Sequence, residues 1–206
     1  MSPLGVLITP HREVQVSKAL RSVLPKNATV RLVQLTKMAL DGEQVVVYDT
    51  GNQFEPHSHV AVVKSGQRAA DFALTRLFHR HGGGESYELF NASQFLSADN
   101  KNVFIVAFRN IGDGAGTLFV LLTERDGRYE VAWKERTTQG RFKVLRSGKI
   151  QVWDSDGGGL CVWCVQQYDV TTFEWKDGGL SRINHFKTKD ALDPGPIADT
   201  PIAIEK

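Results

Sequence analysis

A strand-rich unit recurs three times along this chain, and that recurrence limits the folds open to it. Three Asp-containing turns set the period: Ala39-Leu40-Asp41-Gly42, Ser97-Ala98-Asp99-Asn100 and Asp154-Ser155-Asp156-Gly157. Asp41 and Asp99 lie 58 positions apart, and Asp99 and Asp156 lie 57 apart. An apolar run follows each turn: Val45 to Tyr48, Val103 to Phe108, and Leu160 to Val165. Short apolar runs bounded by Asp and Gly read as strands.

Each copy continues into a hairpin. His59–Lys64 turns through Ser65 to Ala69 into Phe72–Leu77. Thr117–Glu124 turns at Arg125–Gly127 into Tyr129–Trp133, and Val170–Trp175 turns at Lys176–Gly179 into Leu180–Asn184. Asp-Gly between alternating strands signals a tight hairpin, because both residues tolerate positive φ. A further extended stretch precedes each Asp turn: Val30–Leu35, Tyr87–Leu96 and Phe142–Trp153, the last with its own turn at Ser147-Gly148. The pattern predicts a mainly β domain over 29–187. It comprises three four-stranded antiparallel repeat units, at about 29–84, 85–139 and 140–187. Residues 1–28 form an N-terminal segment with one short helix, Val14 to Leu24, stopped by Pro25. Residues 188–206 read as an extended tail carrying Pro194, Pro196 and Pro201.

Repeated four-stranded units suggest propeller blades, although usual propellers have four to eight. A propeller-like open arc, a compact three-bladed ring, a sandwich-like assembly and a ring completed by a second chain all deal with the exposed strand edges.

The Asp-rich turn followed by an apolar strand resembles the FG-GAP or VCBS repeat, found in propeller domains of adhesion receptors and of many exported bacterial proteins. The resemblance spans about residues 29–187. The family's turn is a Ca²⁺ loop of the type Asp-x-Asp-x-Asp-Gly. The third copy keeps Asp154 and Asp156, followed by Gly157, whereas Ala39 and Ser97 replace the first Asp in the other two. The resemblance implies a binding or adhesion module, with a calcium turn at Asp154, Asp156 and Gly157. The same glycine-rich turn suits an anion held by backbone N–H groups.

The 25 basic and 23 acidic residues leave a net charge of +2, with no long basic run, which argues against a nucleic-acid partner. No apolar run approaches the roughly 20 residues of a membrane-spanning helix. No basic stretch followed by an apolar core opens the sequence, so no signal peptide is expected in it. The compartment stays open between a secreted or periplasmic protein whose leader is absent from this sequence and a cytoplasmic one. Cys161 and Cys164 sit in a stretch that reads as a strand, where residues three apart point to opposite faces. They are expected to be unpaired thiols, and no second Cys pair exists for a zinc ribbon.

Three constellations are candidates for chemistry. His57 and His59 open one strand of the first hairpin, and His79 and His81 follow its partner strand. A turn centred near Arg68 would set His57 opposite His79 and gather up to four imidazoles, a set suited to a divalent metal ion. Asp154, Asp156 and Gly157 form the calcium or anion turn. Trp153, Trp163 and Trp175 offer a ligand surface for a protein or a carbohydrate if their rings are exposed together. No Gly-x-Ser-x-Gly is present, and no carboxylate pair stands out, so the sequence points away from catalysis. The expected function is a non-catalytic ligand-binding or protein-interaction domain, of an exported bacterial protein by the resemblance. The alternatives are a metal-binding protein or metal-dependent enzyme using the histidines, and a homo-oligomer formed through edge strands.

Overall fold

The computed structural model describes residues 4–5, 14–35, 43–51, 56–78, 87–96, 102–110, 116–145, 148–156 and 167–188. Strand β1 is Leu4–Gly5, and helix α1 is Lys18–Val23. The first sheet is a meander of β2 (Thr29–Leu35), β3 (Gln44–Gly51), β4 (Pro56–Lys64) and β5 (Gln67–Ala73), followed by the short helix α2 (Leu74–Leu77). The second is a meander of β6 (Tyr87–Leu96), β7 (Asn102–Asn110), β8 (Gly116–Arg125) and β9 (Arg128–Thr138), with β1 added beside β6. The third comprises β10 (Arg141–Val144), β11 (Ile150–Asp156), β12 (Gln167–Lys176) and β13 (Gly179–Lys187). All these pairings are antiparallel. The mainly β fold with three four-stranded units and a short N-terminal helix is therefore as expected.

The closing hairpins share one construction. Their two turn residues both have positive φ: Ser65 and Gly66, Asp126 and Gly127, Asp177 and Gly178. Two left-handed residues in succession make the type I′ turn, whose twist matches that of the flanking strands. Each fourth strand then carries a bulge, where the register skips Ala69, Ala132 and Ile183 respectively. A bulge increases local twist, so the outer strand of each sheet curls in the same sense.

The sheets stack as layers. One cluster joins Leu32, Val45, Val47, Val60 and Val62 of the first sheet to Phe104, Val106, Leu118, Val120 and Leu122 of the second. Another joins Ile105, Phe119 and Leu121 of the second to Phe142, Ile150, Val152 and Trp175 of the third. Alternate residues of a strand point to opposite faces, so the middle sheet is buried on both. Leu20 of the N-terminal helix and Leu24 just after it cover the far face of the first sheet, over Val30, Val46, Tyr48, Ala61 and Val63. Among the described residues, no core cluster joins the first sheet to the third. The middle sheet thus shares a core with each of the other two, and the sheets form no closed barrel.

Three local expectations need correction. The predicted strand Phe72–Leu77 stops at Ala73 and becomes α2, and the hairpin turns at Ser65-Gly66 rather than near Arg68. The helix is shorter than Val14–Leu24, starting where the Ser17 hydroxyl accepts the Leu20 N–H at 3.2 Å. Asp154 and Asp156 lie within β11, not in a turn. The turn between the first two strands of the third unit is built instead around Gly148, with φ +80° and its N–H donated to Leu145 O at 2.9 Å. Apolar alternation from Phe142 to Val152 fixes those two strands, and the Asp spacing misaligns the third copy by about one strand. The turns at Asp41 and Asp99 and the run Leu160–Val165 lie outside the described residues.

Candidate functional site

Of the four candidate histidines, His57 and His59 are described, both on β4. His57 is exposed and pairs with Thr50 of β3. β5 ends at Ala73, opposite His59, so no residue of that strand stands across from His57. His79 and His81 lie outside the described residues. His59 stacks on the Tyr48 ring, with centroids 4.8 Å apart, and its Nδ1 lies 3.0 Å from Asp71 Oδ1. Tyr48 Oη and Arg68 Nη1 donate to the other carboxylate oxygen at 2.6 and 2.8 Å. Burial raises the pKa of Asp71, but the hydrogen bonds from His59 and Tyr48 and the charges of His59 and Arg68 outweigh it and hold it below the ordinary value. Burial, reinforced by Asp71, keeps the Tyr48 hydroxyl protonated far above its ordinary range. With both Asp71 oxygens occupied, the network clasps β5 to β3 and β4. Among the described residues, no group of three or more His, Cys, Asp or Glu is placed to hold a metal.

A second polar knot joins the first two sheets. Glu43 is buried, accepts a hydrogen bond from Tyr129 Oη, and has Lys64 Nζ at 3.8 Å. The Tyr129 hydroxyl is raised well above its ordinary pKa by burial and by Glu43. A buried carboxylate needs such partners, and here they act as an inter-sheet tie.

Asp154 is half-buried on the inner face of the third sheet. The Thr138 N–H donates to its Oδ1 at 2.7 Å, linking β9 to β11. Asp169 stands directly opposite, held by His185 Nε2 at 3.2 Å and Lys187 Nζ at 3.5 Å. Burial raises the Asp154 pKa, and Asp169 and Glu135 add to the rise against the stabilising amides of Thr138 and Ser155. The sign follows by linkage. A carboxyl that holds its proton more tightly in the native state contributes destabilisation once pH rises through that raised pKa. Asp154→Asn keeps a carbonyl oxygen for the Thr138 amide and removes the charge. Its melting temperature is therefore expected to exceed the parent's at neutral pH. The two should converge below the ordinary carboxylate pKa of about 3.9, as scanning calorimetry across pH would show. The Gly157 of the expected calcium or anion turn lies outside the described residues, as does the Asp156 side chain.

The described tryptophans do not share a surface. Trp175 packs in the core between the second and third sheets. Trp153 lies on the opposite, outer face of the third sheet, edge-on to Tyr168 at 5.9 Å and to Phe186 at 6.3 Å. Trp163 lies outside the described residues. The sequence reading missed what surrounds Trp153. Phe142 and Val144 point inward, so Arg141 and Lys143 project outward, and the Arg141 guanidinium lies 5.4 Å from the Tyr168 ring centre. Lys143 is only 6% exposed, and burial holds its pKa below the ordinary lysine value. The alternation Arg-Phe-Lys-Val was visible in the sequence, but its register against Trp153 was not. Phe186 (39% exposed) and Ile183 (46%) are the exposed large hydrophobic residues among those described, both on β13.

Set against known proteins, this chain matches no family model, no curated protein and no solved structure. Among the described residues, no helix is long and apolar enough to cross a membrane.

Proposed function

We propose that this chain is a non-catalytic protein-interaction domain that docks another polypeptide on the outer face and open edge of its third sheet. One observation carries the reading. Among the described residues, the other sheet faces are covered by a neighbouring sheet or by the α1 segment, whereas this face presents Phe186 to solvent beside the Trp153–Tyr168–Val170 cluster, and the same strand carries the exposed Ile183. Strand β13 pairs only with β12 among the described residues, and Ser181 to Lys187 are all exposed. An exposed strand edge with apolar side chains is a template for an added strand. A carbohydrate ligand fits less well, because sugar stacking needs an open ring face and Trp153 is 8% exposed. Under the same proposal the FG-GAP or VCBS resemblance, and with it export from a bacterium, rests on the stacked four-stranded meanders.

The test is a binding screen of immobilised extended peptides and glycans with the parent protein and Phe186→Ser. The expected result is at least one peptide bound by the parent and lost in a variant whose circular dichroism is unchanged. Peptide binding indifferent to Phe186→Ser, glycan binding alone, or no binding at all would each defeat the reading.

A further inference from the structure

The outer face of the third sheet also holds hydrogen-bond donors without acceptors. Trp153 Nε1 and Ser155 Oγ are buried atoms with no hydrogen-bond partner. Lys143 and Arg141 are in no ion pair among the described residues, in contrast to Arg31 with Asp49, Arg125 with Glu130 and Lys187 with Asp169. Arg141 is directly opposite Trp153, and Lys143 is the next outward position on the same strand. Ser155 is the next outward position beyond Trp153 on β11. Directly opposed side chains have Cβ atoms about 5 Å apart and diagonal ones about 7–8 Å, so Arg141 and Lys143 are both neighbours of Trp153 on this face. An indole N–H and an ammonium group can only donate. The contact of the Arg141 guanidinium with the Tyr168 ring, 5.4 Å to its centre, uses none of its N–H donors in a hydrogen bond. Among the described residues the acid on this face is Glu174, two strands from Lys143 and two residues beyond Thr172 on β12. Leaving a buried donor unpaired costs about 1–3 kcal/mol, and more when it is charged.

We infer that Arg141, Lys143 and Trp153 form a subsite for an oxyanion, a carboxylate or a phosphoryl group carried by the docked ligand. The inference rests on the proposed binding face and adds the polar anchor that such a face needs for orientation. Two cations supply charge, the indole N–H supplies direction, and Phe186 flanks the anchor with an apolar wall. Charge-assisted hydrogen bonds of this kind are the stronger ones.

The test titrates ¹⁵N-labelled protein with sodium acetate and, separately, with sodium phosphate, at ionic strength held constant with chloride. Saturable movement of the Trp153 indole resonance is expected, and the tighter of the two anions names the group. Lys143→Met, which removes a cation in no ion pair among the described residues and keeps the length of the side chain, is expected to weaken binding by about tenfold or more. Arg141→Gln serves as a second variant should Lys143→Met fail to fold. Lys187→Met, whose lysine is already paired with Asp169, should bind as the parent does. Absence of saturation with both anions, or equal binding by Lys143→Met and Arg141→Gln, would overturn the subsite. A peptide that still depends on Phe186 would then leave the proposed docking face standing, so the two ideas fail separately.

Discussion

Phe119→Ala is expected to be among the most damaging single substitutions in this protein, at about 3–5 kcal/mol. Phe119 is fully buried in β8 and points from the middle sheet toward the third. Its ring meets Phe142 edge-on at 6.0 Å and Trp133 at 6.4 Å, so it is shared between two layers. Truncation opens a cavity between two sheets whose backbones are each fixed by their own ladders, and a site framed in that way collapses poorly. Urea denaturation should show a lower midpoint with an unchanged slope, since the loss is of packing rather than of compactness. The contrast is Ile183→Ser. That residue is largely exposed, and its replacement should stay within about 0.5 kcal/mol of the parent. A loss below about 1 kcal/mol in Phe119→Ala would mean that the second and third sheets are not packed as described.

The same strand shows how far a sequence of this kind can be read. From Gly116 to Thr123 every residue of β8 is buried, and the run Leu118 to Leu122 has no polar residue at all. Unbroken apolar strands mark a sheet covered on both faces, more familiar in parallel sheets. The run was visible as a strand, and its lack of alternation marked a sheet covered on both faces; Val45–Tyr48 and Val60–Val63 of the first sheet show the same pattern, there with the α1 segment as one of the covers. The paired turns at Asp126-Gly127 and Asp177-Gly178 were equally legible, because positive φ at two successive residues restricts the choice of side chain.

What failed was inference from spacing alone. Asp154 and Asp156 matched the period of the earlier turns, yet both sit in a strand, because Val152 and Ile150 needed that stretch for the core. The histidine pairing is a different case: the turn falls at Ser65-Gly66 and β5 ends at Ala73, so no β5 residue faces His57, while His79 and His81 lie outside the described residues. The donor-rich face around Lys143 was illegible for a different reason. It depends on which side of β10 faces the second sheet, and that is decided by contacts remote in sequence.

Gly140→Ala is the second large effect expected, at about 3 kcal/mol. Gln139 and Gly140 are the whole connection between β9 and β10, and Gln139 already has φ +49°. A Cβ on Gly140 would lie 1.7 Å from Thr137 Oγ1 and 2.7 Å from Thr137 Cβ, with the Trp153 carbonyl oxygen at 3.1 Å. Turning the threonine hydroxyl away relieves the first clash but not the second, because Cβ is fixed by the backbone. The strand end must therefore shift, and with it the Thr138 amide that holds Asp154. Thr137→Gly on its own should cost about 1 kcal/mol through lost strand preference. Combined with Gly140→Ala, it should recover more than half of the larger loss, because only the contact with the Trp153 carbonyl remains. Thermal unfolding of the two single variants and the double variant completes the cycle. Strictly additive losses would show that the two side chains never compete for this space.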